Sequence, residues 1–493
     1  MFWLLVFLAV TGTLAYRGSA LPTATGVLGV TVLLYGWLGG SAGYFLLLLL
    51  GWLLLFVPLN TPALRQEWFT RPLLDHWLAQ SPALSALPET GPAAALLEAQ
   101  TGPLPPPAVA AETPDADLRA EALAAVLLWR LRRPLQAAEP VLAQARVAEL
   151  LYCGAALVAQ APRLLAQEQP DSGLLARAAL AWPLAEQTAA LLGLAPEARL
   201  DWAALTPEVQ LAGRLAAAHR PGRELLQAAG LESPAARLIA FDQAFWPLLG
   251  RLLGDSVRSL VGGFAALLPT GPEDTDRRHA AWLALAGQRV AVLLHLRVLL
   301  QLFSRLPDAY EQHLARAVLA LLGAQAALAW HGEARQPGGE RALLESLLRR
   351  LLHSLEQELA AALRELPQPI GRRLLRVLLL PLPLARPPTR AEALTGADAL
   401  LREPGLRARL AAGLPAQEAL QELDRRLEAL RKLEPSLRRL RLARFETPPA
   451  DDTALLASAS RLGLLSEPEV ATLSEALVFA AGPWTSQRGG EAA

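Results

Sequence analysis

Apolar residues recur three and four positions apart over most of this chain, and that spacing predicts helices. The longest such runs are Ala235–Leu268 and Arg277–Ala329. Arg341–Leu366 reads as one amphipathic helix, stopped by Pro367. Ile370–Leu380 is short, basic and very apolar, and PLPLARPPT breaks the pattern after it. Thr389–Leu414, Ala419–Leu433 and Asp451–Phe479 complete the C-terminal series. Upstream, Leu118–Leu192 predicts three or four helices, with breaks at Pro134, Pro140, Pro162 and Pro170, and Pro196–Gly230 holds shorter ones. Pro82–Pro114 is rich in Pro, Ala and Gly and reads as a linker. No apolar–polar alternation runs long enough to predict a strand. The fold class is all-α.

The N-terminus has a different pattern. Gly18–Leu64 contains no charged residue, nor does Met1–Tyr16, and Arg17 separates the two stretches. A membrane-spanning helix needs about 20 apolar residues. Gly26–Val57 exceeds that, and the first stretch is just long enough. The expectation is a transmembrane helical hairpin over residues 1–60, with a cleaved signal peptide as the competing reading. Arg65 and Arg71 follow the second stretch, so the positive-inside rule puts the rest of the chain in the cytoplasm, at a bacterial-type inner membrane. Trp37, Tyr44, Trp52 and Trp68 are candidates for interface anchors. The expected order is anchor 1–60, linker 61–117, helical domain 118–234, helical domain 235–480 and a disordered tail 481–493.

Composition narrows the chemistry. Lys+Arg and Asp+Glu both number 46, so no net charge draws the chain to nucleic acid. The single lysine, Lys432, lies in EALRKLEP, which is no phosphate loop. Cys153 is the single cysteine, so neither an intrachain disulfide nor a multi-cysteine zinc site can form. The seven histidines make no H-E-x-x-H and no Glu-x-x-His bundle site; surface or capping roles are expected, and no metal. Gly262-Gly263 reads as a close-packing point or a kink within a helix. Arg425–Arg444 interleaves basic residues with Glu422, Asp424, Glu428 and Glu434, which reads as a solvated face. Arg372, Arg373 and Arg376 stand on a short helix otherwise made of Leu and Val. Such a helix can lie in a membrane surface with its arginines at the headgroups, or pack in the protein with the arginines exposed.

Three stretches together resemble the bacterial membrane-bound acyl-CoA dehydrogenases of fatty acid β-oxidation. The first is the apolar N-terminus with Val57-Pro58-Leu59-Asn60, Leu64-Arg65 and Arg71-Pro72. The second is ARVAELLYCGAALVAQ (145–160), similar to the first helices of that family's C-terminal α-domain. The third runs from about Phe241 to Phe479. It includes LLHSLEQELAAALRELP, RRLLRVLLLPLPLARPPT, ALLREPGLRARL and RLGLLSEPEVATLSEA, and is similar to the extension carried by the bacterial branch.

The resemblance implies FAD as the family's cofactor and a glutamate as the base that removes the substrate's α-proton. Glu208, in TPEVQLAGR, stands nearest that glutamate's place, but Val209 replaces the family's next residue, a glycine. Arg133 stands where the family's Arg-x-Gln-Phe element reaches a neighbouring flavin. The run there reads Arg132-Arg133-Pro134-Leu135, without that element's Gln and Phe. Only about Leu73–Asp117 occupies the interval where the family carries its N-terminal helical domain and β-domain. The expectation is therefore a truncated or degenerate relative without catalytic power or bound FAD. It would sit in a lipid bilayer and hold an active acyl-CoA dehydrogenase or electron-transfer protein, with homo-oligomerisation open. An active FAD-dependent dehydrogenase and a lipid- or acyl-chain-binding module are the alternatives.

Overall fold

The computed structural model describes chiefly residues 61–80, 113–131, 142–166, 233–265, 275–303, 307–334, 339–366, 369–380, 385–442 and 452–481, with isolated positions between 183 and 231. The expected anchor over 1–60, the tail after 481, Glu208 and Arg133 lie outside them. Among the described residues every regular element is helical. The long stretches of Leu, Ala, Glu and Arg favour helix intrinsically, so local preference and burial pattern agree.

Fifteen α-helices are described. They are α1 (Pro62–Arg65), α2 (Arg71–Gln80), α3 (Thr113–Leu131), α4 (Leu142–Ala166), α5 (Pro234–Ala265), α6 (Thr275–Phe303), α7 (Asp308–Ala334) and α8 (Gly339–Arg364). Then come α9 (Pro369–Leu379), α10 (Arg390–Arg402), α11 (Pro404–Ala411), α12 (Gln417–Lys432), α13 (Glu434–Leu442), α14 (Asp452–Arg461) and α15 (Glu467–Ala481). They fall into two compact units. The first takes residues 1–107, 208–321 and 352–386; the second takes 108–207, 322–351 and 387–493. These units interleave along the chain. Helices α7 and α8 each contribute residues to both.

The expected linker over 61–117 starts and ends in helix. Pro62 sits in the first turn of α1, where its missing N–H costs nothing. A π-helical turn (Gln66–Thr70) joins α1 to α2, and the Arg71 N–H bonds Gln66 O five residues back. Pro72 comes next, and the wider turn spares it the clash a proline makes in a regular helix. Pro307 divides the single run expected over Arg277–Ala329 into α6 and α7. Pro162, expected to break a helix, lies instead near the end of α4.

In the first unit α5 packs along α6, and it also meets α9, α2 and the π turn. The face it turns inward carries Phe241, Phe245, Leu248 and Leu252, all buried. Each such side chain contributes about 1.5–3 kcal/mol by leaving water. Gly262 is the close-packing point its sequence suggested: a Cβ there would lie 3.1 Å from Leu285 Cδ1 of α6. In the second unit α3 packs on α4 and α12, α10 lies on α4, and α15 meets α12 and α3. Leu420, Leu423, Leu427 and Leu430 form the buried stripe of α12, at the three- and four-residue spacing of a helix face. Thr389 opens α10 with a capping box: the Glu392 N–H donates to its Oγ1, and its own N–H donates to Glu392 Oε2.

Three described helices are long and apolar enough to cross a membrane by length and composition: Leu142–Gln160, Arg277–Leu300 and Ala309–Gly332. Within the protein 61% to 72% of their most apolar windows is buried. The first two bury Glu149, Arg289 and Arg297 as well, and these charges have partners in the same fold. Packing against neighbouring helices thus accounts for their apolarity.

Candidate functional site

In the second unit a seam of buried charge centres on α4 and the start of α8. Glu149 is fully buried. It accepts from Arg350 Nε at 2.5 Å and Nη2 at 3.2 Å, and from Ser346 Oγ at 2.6 Å. Three residues on, Tyr152 donates its hydroxyl to Glu340 Oε1 at 2.6 Å. The same oxygen accepts from Arg409 Nη1 at 2.6 Å and from His331 Nδ1 at 3.4 Å. Glu340 Oε2 accepts no hydrogen bond among the described residues. Arg409 also lies 3.8 Å over the Trp330 ring, which is tilted against Tyr152 at 4.8 Å. Burial alone would push Glu340 upward; the His331 and Tyr152 hydrogen bonds and the Arg409 charge outweigh it and hold its carboxyl below the usual range. Burial drives the Tyr152 hydroxyl well above its ordinary pKa and pushes the Cys153 thiol up to about 12. Neither is a nucleophile at neutral pH.

A cleft of about 220 Å³ opens beside α3, α11 and α12, lined by Leu123, Leu127, Ala408, Ala411, Leu420 and Gln421 among others. Arg407 borders it, 2% exposed, but its charge is already used. It binds Asp424 and Glu428 of α12 and donates to Leu401 O at 2.6 Å at the end of α10, where helix carbonyls converge. The expected solvated face therefore holds for Arg425, Arg431 and Arg438, while Asp424 and Glu428 turn toward a buried arginine.

In the first unit Asp242 of α5 forms a latch to the segment leaving the N-terminal region. Arg65 donates to it through Nε at 2.9 Å and Nη2 at 2.5 Å. Thr70 Oγ1 donates at 2.7 Å and itself accepts from Trp246 Nε1 at 2.9 Å. Burial raises the Asp242 pKa, but the Arg65 and Thr70 hydrogen bonds prevail and lower it.

Of the predicted site residues, Glu208 and Arg133 lie outside the described residues, and Arg372, Arg373 and Arg376 lie on α9. Arg373 and Arg376 are exposed on α9 beside Val377, itself 64% exposed; Arg372 is half-buried and donates to Leu366 O at 2.9 Å. The sequence predicts surface or capping histidines; His279 and His295 are buried in the first unit. On their helix, α6, Arg277, Ala280, Ala281 and Ala284 are exposed, and no described position from 285 to 300 is. The Glu149 and Glu340 clusters also escaped the sequence reading, because their partners lie up to about two hundred positions away. One signal was there to find: a Glu on the apolar face of ARVAELLYCGAA needs a cation.

No three His, Cys, Asp or Glu among the described residues could hold a metal. Acyl-CoA dehydrogenases usually bind FAD. Arg350, Arg407 and Arg409 are each paired with a carboxylate. The cleft is smaller than the roughly 300 Å³ at which ligand pockets begin.

These features define two helical units, each pinned by buried ion pairs. Residues 222–480, just over half of the 493, match the family described as acyl-CoA dehydrogenase, C-terminal, bacterial type. The chain belongs to that family and is an acyl-CoA dehydrogenase-like protein. No curated protein and no solved structure matches it.

Proposed function

We propose that this chain is a membrane-anchored, non-catalytic acyl-CoA dehydrogenase-like protein of fatty acid β-oxidation. Its helical part faces the cytoplasm at a bacterial inner membrane and binds an active acyl-CoA dehydrogenase or its electron-transfer partner. The observation that carries this reading is the reach of the family match, which covers the C-terminal helices alone. Between Leu73 and Asp117 there are about 45 residues, fewer than the roughly 50 of a small domain and far fewer than two catalytic domains need. The neutralised arginines of the second unit support the same reading.

The test is a visible absorption spectrum of the detergent-purified full chain, before and after a long-chain acyl-CoA is added. A featureless spectrum that persists after soaking in excess FAD is expected. A flavin band that bleaches with substrate would make the chain an active dehydrogenase and direct mutagenesis to Glu208 and Arg133. A dehydrogenase or electron-transfer protein should co-purify from native membranes. A second reading, a lipid- or acyl-chain-binding module, is favoured by Arg373, Arg376 and Val377, which α9 exposes together.

A further inference from the structure

The outer face of α5 is the feature left unexplained by the family or the ion-pair clusters. Ile239 is 46% exposed, Leu253 47% and Val261 42%. Gln243 and Pro247 are exposed too, and Val257 is half-buried. At about 100° per residue these six positions fall within an arc of roughly 120°, opposite the buried Phe241, Leu248 and Leu252, and the buried Trp246, Gly250 and Gly254 divide that arc into an Ile239–Pro247 part and a Leu253–Val261 part. None carries a charge across some six turns of helix. Along one edge stand half-exposed Arg251 and Arg258. Asp255, the acid nearest that edge, is ion-paired to Arg258 at 3.0 Å. An uncharged stripe with a basic border is the pattern of a helix lying at a lipid–water interface. Gln243 and the carbonyl freed by Pro247 put polar groups mid-stripe, which suits the headgroup zone better than the hydrocarbon.

Chain connectivity indicates what covers this face. The 47 residues from Gly18 to Leu64 are uncharged, and the first charged residue after them is Arg65. Arg65 is locked onto Asp242 of α5 at 2.5 Å, with Thr70 and Trp246 completing the latch. α5 is therefore held at the point where the apolar run gives way to the folded unit. Trp68, within the same π turn, is 53% exposed, as suits an aromatic residue at an interface.

We infer that the outer face of α5 and Trp68 rest on the surface of the bilayer that holds the chain's own N-terminus, with Arg251 and Arg258 at anionic headgroups. This rests on the membrane-anchor reading above. Its occupant is lipid; a second copy of the chain is the rival outcome.

The experiment uses the full chain in nanodiscs of phosphatidylethanolamine and phosphatidylglycerol, with a bimane fluorophore on Leu253→Cys or Val261→Cys. Gln357→Cys, exposed on α8 of the same unit, is the comparison site. Cys153 is buried and stays unlabelled. Nitroxide lipids labelled near the headgroup should quench positions 253 and 261 at least twofold more than 357, and aqueous iodide should quench them correspondingly less. Equal iodide access at all three sites, in protein that still co-floats with lipid, would overturn the inference and leave the anchor intact. Failure to co-float would sink the anchor reading and this inference with it. Shielding of 253 and 261 from both quenchers, with crosslinks between copies, would assign the face to a second copy instead.

Discussion

Glu340 gathers a hydroxyl, a guanidinium and an imidazole onto one oxygen while fully buried, so removing its charge alone strands buried partners and costs more than breaking an exposed pair. Glu340→Gln leaves Arg409 facing a neutral amide, and a loss of about 3 kcal/mol is expected. Tyr152→Phe removes one hydrogen bond to a charged group, with an expected loss of about 2 kcal/mol. Urea midpoints of the detergent-solubilised chain at pH 7 measure both. The pH dependence has a definite sign. The folded state holds the Glu340 carboxyl below its ordinary pKa and so binds its proton less tightly than the unfolded chain does. Its stabilisation is complete above the ordinary glutamate range, near about 4.3, and fades as pH falls through that range and below. The gap between wild type and Glu340→Gln should therefore narrow from pH 7 to pH 4; a gap that widened would contradict the assignment.

Helix against helix, three glycines separate three outcomes. Gly396 of α10 approaches the α8 backbone so closely that a Cβ would lie 3.0 Å from Leu343 Cα. Backbone cannot swing aside, so Gly396→Ala should cost about 1–3 kcal/mol. At Gly262 the obstacle is the flexible end of the Leu285 side chain, 3.1 Å away, and the helix propensity gained by alanine roughly offsets the crowding. Gly262→Ala should fall within about 0.5 kcal/mol of wild type. A Cβ on Gly287 meets nothing within 4 Å, so Gly287→Ala should stabilise α6 by about 0.5–1 kcal/mol. Thermal melts followed by far-UV circular dichroism would rank the three; a destabilised Gly287→Ala would be the most damaging result. Positive φ matters at Gly463, which ends α14 at φ 65 as the Leu464 N–H closes back to Ala459 O at 2.9 Å.

For the whole molecule, the membrane reading makes a plain prediction. Carbonate washing of native membranes should leave the chain in the pellet, because about 20 or more apolar residues in the bilayer do not depend on charge. Release by carbonate or high salt would mean that the chain is held electrostatically, through Arg373 and Arg376 or the α5 border. Asp242→Asn should loosen the Arg65 latch without releasing the chain from membranes. Iodide access to a bimane at Leu253→Cys should then rise, since α5 would no longer be tethered where the apolar run ends.

The all-α class, the helix series from Ala235 to Phe479 and the family were legible in the sequence, because helix spacing and proline stops are local signals. Leu420, Leu423, Leu427 and Leu430 announce their buried stripe by period alone. Thr389 and Glu392 likewise announce a cap. Four things were decided only by tertiary structure: the interleaving of the two units, the burial of His279 and His295, the neutralisation of Arg407 by Asp424 and Glu428, and the convergence of Tyr152, His331 and Arg409 on Glu340. Periodicity says that a residue faces inward but not which distant residue it meets. A buried charge is stable only where the whole chain has brought it a partner.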